Sequence, residues 1–241
     1  MTKKPPHLLI LHNGSTRNGA ARIATRYETA GLKVTTFWAA NGEFPPNLTL
    51  FDGCFLTGSP HGAYENIQWI EQEHGIIQEM AAGNIPMLGV CFGSQILASA
   101  LCGRDQVFRR PTCNVGFMRL PLTEAGKSDP LMGELQENVE MLVWHNDEVR
   151  ADHEDMVILA TNEAAPNQIW RYRDQPIWGI QGHPELTRNT AINLFETERA
   201  IFERDGANVE QLIAAAHNAP EAKTLLDQFA QLIQKKAHVR L

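Results

Sequence analysis

Cys91 lies in the run Ile85-Pro86-Met87-Leu88-Gly89-Val90-Cys91-Phe92-Gly93-Ser94-Gln95, where an apolar strand pattern stops at a cysteine and a helical pattern begins. A side chain projected from a sharp strand-to-helix turn needs neighbours without Cβ atoms, and Gly89 and Gly93 supply that room two positions to either side. The thiol would face a helix N-terminus, whose partial positive charge favours the thiolate that does nucleophilic chemistry. Such a nucleophile needs an imidazole to take its proton, and the imidazole needs a carboxylate to hold its tautomer. The run Ile177-Trp178-Gly179-Ile180-Gln181-Gly182-His183-Pro184-Glu185 offers both after a second apolar strand pattern. On an extended segment residues i and i+2 point the same way, so Glu185 reaches the far nitrogen of His183 while Pro184 stiffens the turn. Read singly, each half has a plainer explanation: a buried structural thiol, and a surface histidine followed by a carboxylate that caps a helix starting near Thr187.

Gly-Val-Cys-Phe-Gly-Ser-Gln followed far downstream by Gly-His-Pro-Glu resembles the class I glutamine amidotransferases, cysteine-dependent enzymes that release ammonia from glutamine. Two further segments agree, so the resemblance spans roughly residues 7 to 185 with the motifs in the family's order. Phe51-Asp52-Gly53-Cys54-Phe55-Leu56-Thr57-Gly58-Ser59-Pro60 looks like the strand and glycine loop that supplies one oxyanion-hole amide. Trp144-His145-Asn146-Asp147 looks like the segment that holds the amino-acid end of glutamine through its backbone. The resemblance therefore implies Cys91 as nucleophile, His183 as base and Glu185 as its orienting partner. It also implies the backbone N–H groups of Ser59 and Phe92 as oxyanion donors, and Gly58, Gln95, Trp144, His145, Asn146 and Asp147 around the substrate. Two departures bear on substrate choice: Gly58-Ser59-Pro60 stands where many members have Gly-Gly-Pro, and Trp144-His145-Asn146-Asp147 where many have Ser-His-Gly-Asp. Asn146 enters a left-handed turn less freely than glycine, and the Trp144 ring is expected to fill the core behind the pocket rather than line it.

To hold these groups together the chain needs strands ending on one edge of a sheet. Apolar strand-like runs alternate with amphipathic segments: His7 to His12, a helix around Ala20 to Ala30, Lys33 to Trp38, Phe51 to Thr57, a helix around Ile67 to Ala82, then the Cys91 turn. That alternation predicts an α/β fold with a doubly wound, mostly parallel sheet flanked by helices, and the resemblance implies its flavodoxin-like amidotransferase form. Strands are then expected at Phe117 to Leu122, Glu140 to Trp144, Val157 to Thr161, Gln168 to Tyr172 and Pro176 to Ile180. Amphipathic helices follow near Asn208 to His217 and Glu221 to Lys236, with Pro220 opening the second. Residues 1–241 are expected to form a single domain with a helical C-terminal extension from about 187 to 241.

A formal charge of −7 over 241 residues argues against a nucleic-acid or anionic-membrane surface. Arg109-Arg110 and Lys235-Lys236 read as solvated faces. No apolar run approaches a membrane span and no signal-peptide core follows the N-terminus, so a cytoplasmic location is expected. The cysteines Cys54, Cys91, Cys102 and Cys113 lack metal-ligand spacing; Cys54 and Cys102 read as buried thiols, while the Cys113 loop can approach the site. No metal or cofactor is expected, and no Walker-type loop for ATP is present. Three functions stay open: a glutamine-hydrolysing protein acting alone or feeding a separate synthetase chain, a γ-glutamyl peptidase acting on glutathione-like compounds, and a non-catalytic binding or regulatory protein on the same fold. The oligomeric state is left open.

Overall fold

The structure, a computed structural model, describes residues 4–239. Its first half alternates as expected: β1 (His7–Leu11), α1 (Ala21–Thr29), β2 (Lys33–Phe37), β3 (Gly53–Leu56), α2 (Gln68–Ala82), β4 (Met87–Val90) and α3 (Phe92–Cys102). Then come β5 (Val107–Pro121), the short α4 (Glu124–Lys127), β6 (Asn138–Val149), β7 (Met156–Ala160), β8 (Ile169–Tyr172) and β9 (Ile177–Ile180). The chain closes with α5 (Arg188–Thr197), α6 (Arg199–Arg204), α7 (Val209–Ala215) and α8 (Pro220–Val239).

Seven strands form one sheet in the order β2-β1-β3-β4-β9-β8-β7. Pairing is parallel from β2 to β9 and antiparallel across β9, β8 and β7. The strand period of two explains why the central runs are apolar at every position. Leu8 and Ile10 face one side with Phe55, Val90 and Ile180, under Tyr27 of α1 and Phe229 and Ile233 of α8. Leu9 and Leu11 face the other with Leu56 and Met87, under Ile77 of α2 and Ile96 and Leu97 of α3. Leu8 through Leu11 are fully inaccessible, and each such side chain stabilises the fold by roughly 1.5–3 kcal/mol relative to exposure. The outer helix is tied down by polar contacts too, since Arg26 of α1 meets Asp227 of α8 at 2.6 Å. Parallel pairing of β4 with β9 brings Val90 opposite Ile180. The two segments singled out for their chemistry therefore leave the sheet side by side, in the crevice beyond the strands' carboxyl ends.

Two regions differ from expectation. The runs expected at 117–122 and 140–144 are parts of the longer β5 and β6, which pair antiparallel with each other in a separate two-stranded sheet. The register shifts between Arg109 and Asn114. Arg109, Arg110, Pro111, Asn114 and Gly116 interrupt any period-two pattern there, which is why half of β5 is invisible to hydrophobic periodicity. The closing region is helical, as expected, but its first helices, α5 and α6, had no bounds in the sequence reading. Thr187 caps α5 through a reciprocal capping box with Thr190, and α6 follows it directly. Among the described residues no helix is long and apolar enough to cross a membrane.

The turn at Cys91 makes a sharp prediction about glycine. A Cβ on Gly89 would collide with the Gly93 carbonyl, and one on Gly93 with the Leu56 carbonyl, both rigid backbone, whereas a Cβ on Gly75, exposed in the middle of α2, meets nothing within 4 Å. Gly89→Ala and Gly93→Ala should each lose about 1–3 kcal/mol of stability in urea denaturation. Gly75→Ala should instead gain about 0.5–1 kcal/mol.

Candidate active site

Cys91 sits between β4 and α3 with φ 54° and ψ −112°, outside the regions comfortable for an L-residue. Such a conformation costs about 1–3 kcal/mol and persists only when its surroundings impose it. Here they do: Cys91 N–H donates to the Ile180 carbonyl at 2.8 Å, and the glycines on either side let the backbones close up. The side chain is half-buried, and its Sγ lies 3.7 Å from the Trp144 carbonyl oxygen. Phe92 buries its ring against Trp69, centroids 5.6 Å apart, so its contribution to the site is its backbone N–H, one of the first of α3 and without an intrahelical acceptor.

His183 is anchored by its own backbone, whose N–H donates to the Leu142 carbonyl of β6 at 2.7 Å. Its Nδ1 donates to the Glu185 carboxylate at 2.8 Å. The imidazole is buried, which lowers its pKa, but the Glu185 charge and the Cys91 sulfur more than offset this and hold it well above the ordinary histidine value. Nε2 is buried without a well-formed hydrogen bond, and the Cys91 sulfur is the partner in reach, raising the ring's pKa both as a hydrogen-bonding group and through its charge. A Cβ built on Gly58 would lie 3.7 Å from Cys91 Cβ and 3.8 Å from His183 Cε1, so Gly58 borders the space where thiol and imidazole meet. Ser59 follows in the same loop, its hydroxyl accepting His61 N–H at 3.2 Å. Thiol, imidazole and carboxylate in a row are equipped for nucleophilic attack with proton transfer. Glu185 does not cap the following helix; Thr187 does.

Trp144, His145, Asn146 and Asp147 lie within β6 rather than in a loop. Asn146 has no positive φ; its side chain donates instead to Asp205 Oδ2, just after α6, at 2.9 Å. The Trp144 ring stacks on Phe202 of α6, centroids 4.5 Å apart, leaving only its backbone carbonyl towards Cys91. His145 is buried; burial pushes its pKa down to about 4, so it is neutral. Its Nδ1 donates to the Asp147 carbonyl at 2.8 Å and its Nε2 accepts from Asn114 Nδ2 at 3.2 Å. Gln95 is buried and donates through Nε2 to the same Asp147 carbonyl at 2.9 Å, fastening α3 to β6. The Asp147 carboxyl is raised by burial, with Arg109 and Tyr64 pulling it back; Tyr64 O–H reaches it at 3.2 Å.

Tyr64, Asn114, Phe202 and Asp205 thus surround the segment without having been singled out in the sequence, and Arg109 had been read only as part of a charged surface. Of the pair Arg109-Arg110, expected as a solvated face, Arg109 is exposed as expected, though within 3.5 Å of Asp147, whereas Arg110 turns inward to pair with buried Glu148. The signal was there in one form only, two adjacent arginines inside an otherwise acidic chain. The other three cysteines are held as thiols. Burial pushes Cys54 well above its ordinary value, Cys102 up to about 12 and Cys113 up to about 11. Cys113 does approach the site, since the Cys91 charge is among those acting on it. Among the described residues no group of three or more His, Cys, Asp or Glu side chains is placed to hold a metal ion.

Residues 15–198 match the model of the glutamine amidotransferase class-I family. Gamma-glutamyl peptidase 4 of Arabidopsis thaliana is 28% identical over 202 residues, covering 82% of this chain and 78% of that protein. A glutamine-hydrolyzing GMP synthase of Porphyromonas gingivalis is 28% identical over 144 residues, 60% of this chain but only 27% of the synthase. Among solved structures, a glutamine amidotransferase from Thermotoga maritima superposes with a TM-score of 0.77 at 22% identity, over 97% of this chain and 99% of that one. One from Methylobacillus flagellatus gives 0.78 at 16% identity, over 98% and 95%. With a family model matched over most of its length and the same mostly parallel seven-stranded fold, the chain belongs to the class I glutamine amidotransferases.

Proposed function

We propose that the protein hydrolyses the γ-amide of glutamine through a γ-glutamyl thioester on Cys91, releasing ammonia and then glutamate. The observation that carries this is the buried imidazole of His183, whose Nδ1 is held by Glu185 and whose pKa the Glu185 charge and the Cys91 sulfur together raise. In this mechanism the Cys91 sulfur attacks the amide carbon and a tetrahedral oxyanion forms beside Gly58. Phe92 N–H and Ser59 N–H stabilise that charge; one such donor contributes about 3 kcal/mol. His183 Nε2–H protonates the departing ammonia, and the neutral ring then takes a proton from the water that cleaves the thioester. Backbone groups of 144–147, with Gln95 bracing them, hold the α-amino and α-carboxyl end. A separate synthetase chain is the partner this reading calls for where ammonia must be delivered. A cytoplasmic setting goes with it.

A second reading, cleavage of a γ-glutamyl peptide bond, is favoured by one observation: the similarity to γ-glutamyl peptidase 4 covers 78% of that protein, against 27% of the GMP synthase. The same thioester serves both, because only the leaving amine differs. The test is to measure ammonia from glutamine in parallel with free amine from γ-glutamyl dipeptides and glutathione. Faster glutamine turnover supports the first reading; fast peptide cleavage with poor glutamine turnover replaces it with the second. A folded chain that cleaves neither, although Cys91 still alkylates, would leave the binding or regulatory role.

A further inference from the structure

Beneath the Gly58–Ser59 loop lies a second buried polar group of residues that the reaction does not touch. Glu73 on α2 is wholly inaccessible, as is Asn13 after β1. Asn13 Nδ2 donates to Glu73 Oε1 at 3.0 Å and to the Thr57 carbonyl at 3.4 Å. The remaining atoms of the two side chains, Glu73 Oε2 and Asn13 Oδ1, are both buried and without a partner. An amide and a neutral carboxylic acid satisfy each other with two bonds, the second running from the acid O–H back to the amide oxygen. Protonation would give the unpartnered Glu73 oxygen an O–H, the donor that the unpartnered Asn13 amide oxygen lacks. Burial pushes its carboxyl up to about 8, against the lowering by Asn13. The titratable group coupled to it is Cys54 of β3, a thiol that burial and the Glu73 charge hold well above its ordinary value.

From this pair a continuous set of bonds runs to the loop. Asn13 N–H donates to Thr57 Oγ1 at 2.9 Å. The Thr57 hydroxyl lies 3.2 Å from both His12 Nδ1 and the Gly58 carbonyl, to either of which its single hydrogen can be donated. His12 is itself fixed, its Nε2 donating to the Thr16 carbonyl at 2.6 Å. The Gly58 carbonyl and the Ser59 N–H belong to one planar trans peptide and point in opposite directions. Fixing the carbonyl on the core side therefore aims the N–H at the opposite side, and a bond accepted by the carbonyl polarises that N–H.

We propose that Glu73, as a neutral acid paired with Asn13, and Thr57 are positioning residues that aim the Ser59 N–H at the developing oxyanion. The proposal rests on the hydrolytic reading above for its effect on rate, but not for its effect on the loop. Ionisation of Glu73 as pH rises through its titration removes the O–H available to the Asn13 amide oxygen and so loosens the Asn13 end of this set of bonds.

The test compares the parent with Glu73→Gln, which keeps both bonds at every pH, Glu73→Leu, which keeps neither, and Thr57→Val, which loses the bond to Gly58. The parent kcat should fall above about pH 8, and Glu73→Gln should move that limb up by at least about one pH unit while retaining the rate at pH 7. Glu73→Leu and Thr57→Val should lower kcat about 10- to 100-fold with KM little changed, part of the 10²–10³-fold that a whole oxyanion donor contributes. In parallel, the Ser59 amide 15N–1H resonance should shift between pH 7 and 9 in the parent and stay still in Glu73→Gln. Superimposable pH profiles of parent and Glu73→Gln, or a Ser59 resonance that behaves alike in both, overturn the proposal. If no substrate turns over, the hydrolytic reading fails, and the resonance decides alone whether Glu73 controls the loop.

Discussion

Cys91→Ala should leave a folded chain whose turnover is lowered by about 10⁴-fold or more. Sulfur is the only atom of this residue that the mechanism uses, and in the fold its polar contacts are a long one, 3.7 Å to the Trp144 carbonyl, and the His183 ring. The backbone strain of the turn, the Cys91 N–H bond to Ile180 and the close approach of Gly89 to Gly93 do not involve it, so urea denaturation should show little change. A glutamine-like diazo-ketone should label the parent at Cys91 and leave Cys91→Ala unlabelled, with Cys102→Ala labelled like the parent. Cys102 ends α3, away from the turn, and burial pushes its thiol up to about 12, where almost no thiolate exists at neutral pH. Cys113 is the informative control, because it lies close enough to feel the Cys91 charge. Label found on Cys113 alone would place the nucleophile elsewhere.

Loss of the imidazole should be as severe, since one ring takes and returns the proton. His183→Ala should cost about 10⁴-fold or more in kcat, and Glu185→Gln roughly 100-fold less than that, because an amide oxygen can still accept Nδ1–H while supplying no charge. The pH dependence separates the two roles. Burial lowers the His183 pKa and the Glu185 carboxylate, among other groups, raises it above the ordinary value. Replacing that charge with a neutral amide removes a stabiliser of the imidazolium, so the His183 limb of the kcat/KM profile should move to lower pH in Glu185→Gln. A Glu185→Gln enzyme with the parent's rate and limb would mean that Glu185 only braces the Pro184 turn.

The candidate triad could be picked out because each of its parts is a local pattern. Gly89-x-Cys91-x-Gly93 between an apolar run and a helical one can be read within nine residues, and so can His183-x-Glu185 after a strand. The sheet was legible for a related reason: Leu8 to Leu11 are apolar at every position, which only a strand buried on both faces requires. Gln95 was recognised by its place one turn after Cys91, but not that it is buried and spent on the Asp147 carbonyl. That partner is supplied by a strand 52 residues away.

What the tertiary structure alone decided is how the second half of the chain closes over the thiol. The β5–β6 hairpin carries its polar residues inward, with Asn114, His145, Asp147 and Glu148 all buried, and buried polar side chains erase the alternation by which a strand is read. Their satisfaction depends on partners brought by other elements, Tyr64 from the loop after β3, Asp205 from the end of α6, Phe202 behind Trp144. The same holds for Glu73, an ordinary glutamate on an amphipathic helix until Asn13, 60 residues earlier, is folded against it. A sequence displays periodicity and spacing; the hydrogen-bond partner of a buried polar atom, and hence its protonation, exists only once distant segments have been packed together.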